Sequence, residues 1–163
     1  MAKTTALAVA NFLIARGREE GIPIRHLKLQ KLLYFCYAWY AGNTGEELFP
    51  EDIEAWQYGP VVRDIYARFK DSGSQPITRP GTTLDWDTFE QITPRAPDDV
   101  AADLQSVWDA YKSKSDAWLV DASHRPGEPW AVVAREQGLA GKPPIPFELI
   151  RSKYARRVEA IDA

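Results

Sequence analysis

Groups able to attack a carbonyl or hold a transition metal are scarce in this chain: two histidines, His26 and His124, and one cysteine, Cys36. None of the motifs His-Glu-x-x-His, Gly-x-Ser-x-Gly, Gly-x-Gly-x-x-Gly or a phosphate-binding loop is present. A Cys36/His124 nucleophile pair would support a small hydrolase. Cys36, however, lies in an apolar run, where a thiol is ordinarily inert packing. His124 sits in Ser123-His124-Arg125-Pro126-Gly127-Glu128-Pro129-Trp130. It reads in three ways: a turn histidine that bonds backbone and packs on Trp130, a partner contact, or an acid–base group. The last needs a second catalytic group, which the sequence does not show. The pair Asp98-Asp99 suits the first turn of a helix, where the dipole favours acids, better than a metal. No cofactor, metal or small-molecule substrate is expected.

The elements that would position these groups are mostly helices. Leu7, Ala10, Leu13 and Ile14 recur at helical spacing over 4–16, and Gly17 is expected to end that helix. Residues 26–41 give the strongest helix. From Leu32 to Tyr40 it is apolar or aromatic all round, so other elements must enclose it. Gly42-Asn43 with Gly45 is expected to stop it. Alternation over 53–57 predicts a short strand. Pro60 is expected at the first position of a following helix, with Val61, Val62, Ile65, Tyr66 and Phe69 on its inner face and Asp64 paired with Arg68 outside. Residues 71–97 are rich in turns, and Ile77, Leu84, Trp86, Phe89 and Ile92 suggest that this segment packs down, with short strands. An amphipathic helix over 98–113, a helix capped by Ser115, one begun near Pro129 and a last one from Phe147 complete the chain. The fold expected is mainly α: one domain over 1–163, a helical bundle around helix 26–41 with a small β element near 53–57.

Charge and composition narrow the function. The chain has 163 residues, 45% hydrophobic and 26% charged, enough for one ordinary core and against disorder. One cysteine excludes an internal disulfide and fits a reducing compartment, the cytoplasm. The uncharged stretch Leu32–Ala41 is too short for a membrane span of about 20 residues, and no secretory leader is expected. Net charge is −3, unlike a nucleic-acid binder. The tail bases Arg151, Lys153, Arg156 and Arg157 offer the one candidate recognition helix for a DNA-binding autoregulator. Charge is segregated: six bases against two acids over 1–40, and seven acids against one base over 85–109. Such poles can steer protein partners, or be solvated helix faces. Trp39, Tyr34, Trp56 and Tyr58 are core aromatics by default and interface anchors where exposed.

Three segments, taken in order, resemble the Panacea domain, the antitoxin domain that includes SocA-type antitoxins. They are Lys28-Leu29-Gln30-Lys31-Leu32-Leu33-Tyr34-Phe35, then Phe49 followed by Ile53-Glu54-Ala55-Trp56-Gln57-Tyr58-Gly59-Pro60-Val61, then His124 with Pro129-Trp130. One departure is Ser123, where the family pattern has Thr; the hydroxyl is kept. The resemblance implies a compact helical domain that binds a cognate toxin protein and neutralises it without catalysis. For the SocA-type branch it implies an adaptor that presents the toxin to ClpX of the ClpXP protease. The partner-binding candidates on the matching segments are Lys28, Gln30, Lys31, Tyr34, Trp56, Tyr58, Gly59, Pro60, His124, Arg125 and Trp130. An adaptor needs two surfaces, and the basic first forty residues and the acidic middle are expected to divide that work.

Overall fold

The computed structural model describes residues 2–162. Helix α1 (Ala6–Glu20) starts where Thr5 Oγ1 accepts the Ala8 N–H at 3.2 Å. It runs through Gly17 rather than ending there. A Cβ at Gly17 would stand 2.5 Å from the Ile24 side chain and 2.8 Å from Ile22 O, so this glycine admits the returning connector. Helix α2 (His26–Thr44) is the expected central post, with residues 28–38 buried on every side. It continues past Gly42, which meets the backbone of Tyr154 across the bundle, and stops at Gly45.

The predicted strand is β1 (Glu54–Trp56), and it pairs antiparallel with β2 (Gly59–Val61), opposing Glu54 to Val61, Ala55 to Pro60 and Trp56 to Gly59. Pro60 is therefore in a strand, and helix α3 (Arg63–Phe69) starts after it. Two contacts explain the difference. The Gln30 amide bonds both backbone groups of Val62, at 2.8 and 3.2 Å, and holds it extended. Ala55, opposite Pro60, gives its own N–H to Pro143 O at 2.8 Å, so no donor is required of the proline. Asp64 and Arg68 pair on the outside of α3 as expected.

A second hairpin, β3 (Thr83–Asp85) with β4 (Glu90–Ile92), follows a single turn of 3-10 helix at Lys70–Ser72. Here the expectation of a packed-down segment fails in part. Ile77 is buried and Leu84 half-buried, but Trp86, Phe89 and Ile92 stand in solvent. The two strands pair only with each other. At the base the buried Asn11 side chain grips both feet. It donates to Gly81 O and Pro94 O at 3.0 and 3.1 Å and accepts from Gly81 N at 2.7 Å.

Helices α4 (Asp98–Tyr111), α5 (Asp116–His124), α6 (Pro129–Gln137) and α7 (Phe147–Asp162) complete the chain. Asp98 and Asp99 occupy the first turn of α4, and Ser115 caps α5 by accepting the Trp118 N–H at 3.1 Å. One continuous apolar core joins all seven helices, α6 through Val133. The fold is mainly α around α2, with two small two-stranded sheets. Among the described residues, no helix is long and apolar enough to cross a membrane.

Candidate functional site

The three motif segments meet where α2, the β1–β2 hairpin and the C-terminal end of α5 come together. Lys31 points out of α2 into this junction yet is 0% exposed. Its Nζ donates to Pro60 O at 3.1 Å, the one hydrogen bond recorded for its three donors. Burial without a counter-charge pushes the ammonium down to about 7. Gly59 is what lets it fit. With φ of +112°, a Cβ there would lie 2.9 Å from both Lys31 Cε and His124 Cε1. Only glycine meets both demands.

His124 closes the junction from α5. Its Nδ1 donates to Val120 O at 2.6 Å, and its ring packs on Trp130 with centroids 3.9 Å apart. Trp130 in turn donates its indole N–H to Trp56 O at 2.8 Å. Ser123, with its hydroxyl on the same Val120 carbonyl, is fully buried. Ser123 Oγ also stands 3.2 Å from His124 Nδ1, but both groups give their protons to the Val120 carbonyl, which holds the imidazole in place. Cys36 is buried in the core, and its thiol is pushed far above its ordinary range by desolvation.

The remaining sequence-predicted residues divide by position. Lys28 is buried and donates to Lys112 O and Lys114 O at 2.7 and 2.9 Å, satisfying carbonyls just beyond α4. Gln30, Gly59 and Pro60 are buried, and Tyr34 lies in the core beside Tyr154 with an unpaired hydroxyl. Trp56, His124 and Trp130 are half-buried. Arg125 is exposed, paired with Asp121 and lying over the Trp118 ring. Of these predicted residues, Tyr58 is the large aromatic that stands exposed, at 66%. Lys28 and Lys31 are inside, so of the six bases over 1–40 only Lys3, Arg16, Arg18 and Arg25 reach the surface. On the tail, Arg151 pairs with Glu148 and Arg157 with Glu128, so two of its bases are engaged.

Beside the junction lies an open cleft of about 490 Å³. Trp56, Tyr58 and Tyr66 line it together with His26, Lys70 and Lys142, and no acid does. Lys142 Nζ stands 4.1 Å over the Trp56 ring, and Tyr66 lies 5.0 Å from that ring. Sequence reasoning missed Glu128. This nearly buried residue precedes α6, pairs with Arg157 and accepts from Tyr154 Oη at 3.4 Å. It ties α7 to the turn that carries Trp130. Its place before Pro129 was the available signal, but its partner is far away in sequence.

The family described as Antitoxin SocA-like, Panacea domain, matches residues 29–131, the span from α2 into α6 that builds this junction. The chain belongs to the SocA-like antitoxin family. Antitoxin SocA of Caulobacter vibrioides (strain NA1000 / CB15N) is 33% identical over 135 residues, covering 82% of this chain and 72% of that relative. No solved structure matches the chain. Within the Panacea domain as seen here, Lys31, Gly59, His124 and Trp130 form one packed unit. The segments that carry the resemblance are thus mostly an internal joint, with Tyr58, Arg125 and one edge of Trp56 at its surface.

Proposed function

We propose that this chain is a non-enzymatic antitoxin of the cytoplasm that binds a cognate toxin protein directly and neutralises it. The observation that carries this reading is the 33% identity to Antitoxin SocA over 82% of the chain. The site supports it. His124 is tied to its own helix backbone, Cys36 is enclosed, and the cleft beside them offers aromatic and cationic side chains suited to gripping a protein surface. Tyr58, the exposed edge of Trp56, and Arg125 are the contacts proposed at this face. Lys28, Gln30, Lys31, Tyr34, Gly59 and Pro60 shape it from within. His124 and Trp130 hold the hairpin under it.

The test is co-expression with the product of the adjacent open reading frame, with and without ClpXP. Restored growth and a co-purifying complex are expected. Loss of the toxin only when ClpXP is present marks the adaptor form; rescue without ClpXP marks a blocking antitoxin. Failure to bind and to rescue overturns the reading. A catalytic role would show differently, with His124→Ala abolishing rescue while the complex persists.

A further inference from the structure

We propose that the β3–β4 hairpin is a docking element whose Trp86 and Phe89 enter an apolar pocket, ringed by lysine or arginine, on the toxin protein. This rests on reading the chain as an antitoxin. Trp86 is 76% and Phe89 72% exposed, and Ile92 beside them 41%. Such side chains give the monomer's core almost nothing. Phe89 also costs it something, because its φ of +58° puts a bulky residue in the left-handed region. Glycine or asparagine at that position would avoid the strain. The turn does not need the aromatics, since Asp85 makes it: its Oδ1 accepts the Asp87 N–H at 2.9 Å and its carbonyl the Phe89 N–H at 2.7 Å.

The element is held ready. Isolated two-stranded hairpins are marginal in water, but this one is clamped at its feet by Asn11 and tied to α3 by Arg68, which donates to Thr82 O at 2.9 Å. Rigid aromatics presented at a tip lose little freedom on binding, the property of interface anchors. Charge selects the occupant. Residues 80–94 carry Asp85, Asp87 and Glu90 and no base. Among the described residues none of the three is in an ion pair. A basic rim on the partner complements them, whereas a second copy of the same hairpin would be repelled.

The test measures the affinity of the full-length chain for the purified product of the adjacent open reading frame, with growth rescue and thermal unfolding in parallel. Trp86→Ser and Phe89→Ser are each expected to weaken binding at least tenfold with the unfolding midpoint unchanged. Phe89→Gly separates contact from fold: the midpoint holds or rises while binding falls equally. Asp87→Lys with Glu90→Lys slows association and reverses its salt dependence. Variants that bind as tightly as the wild type overturn the hairpin alone. So does a collapse of the midpoint in the serine variants, which would make the aromatics structural. A self-association lost in Trp86→Ser with toxin affinity intact assigns the tip to a second copy and overturns it too. If the wild type neither binds nor rescues, the antitoxin reading falls and the hairpin falls with it.

Discussion

At the junction of α2, β2 and α5, Lys31, Gly59 and Pro60 are enclosed, and the residues around them are fixed by hydrogen bonds or ring packing. On the β3–β4 hairpin the reverse holds: the largest side chains face water, and one of them strains its own backbone. Both regions are rich in aromatic and charged residues, so residue type does not separate them. Enclosure does. The junction uses its side chains on one another, and the hairpin reserves them.

Substitutions sharpen this contrast. The largest effect is expected from Gly59→Ala, which combines a clash with Lys31 and His124 and a forced positive φ. A loss of about 2–4 kcal/mol in urea melts is expected. Gly45→Ala, where nothing lies within 4 Å, should cost only about 1 kcal/mol. Equal losses would mean that the junction is looser than its geometry shows.

Lys31→Met probes the buried cation through pH. Unfolded, this lysine keeps its proton to about 10.4; folded, it releases it from about 7. Between those values the unfolded state binds more protons, so wild-type stability gains up to about 1.4 kcal/mol per pH unit from this group as pH rises. Below about 7 both states are protonated and the slope vanishes. Lys31→Met should remove the slope, measured as the difference between wild-type and variant melts at pH 7 and pH 9; parallel profiles would refute it. Trp130→Phe, which deletes the bond to Trp56 O, is expected to cost about 1 kcal/mol with rescue weakened in proportion to stability. Smallest of all, Phe89→Gly should stabilise by about 0.5–1 kcal/mol through relief of the left-handed φ. A destabilised Phe89→Gly would erase the contrast between the two regions.

Much of the architecture was legible because its signals are local. An apolar surface all round α2 demands enclosure wherever the chain goes next, and His124 beside Pro129-Trp130 gave the ring packing that was found. What failed depended on distant partners. Lys28 and Lys31 read as solvated bases because the carbonyls that receive them belong to residues 112, 114 and 60. Pro60 suits a helix start or a strand equally, and the amide of Gln30 decided between them. Trp86 and Phe89 look like core residues in composition; only the pairing of β3 with β4 alone leaves them outside. Of the site, the core place of Tyr34 is legible in its apolar surroundings, whereas the enclosure of Lys28 and Lys31 is not.

The crossing of α2 and α7 has a bearing on synthesis. Gly42 touches the Tyr154 backbone, and Tyr154 and Ile150 seal the side of α2 that no earlier helix covers as closely. A nascent chain therefore leaves that side of its most water-averse helix bare until α7 has left the ribosome. Products cut short before Phe147 should clump or be degraded rather than serve as weaker versions of the whole.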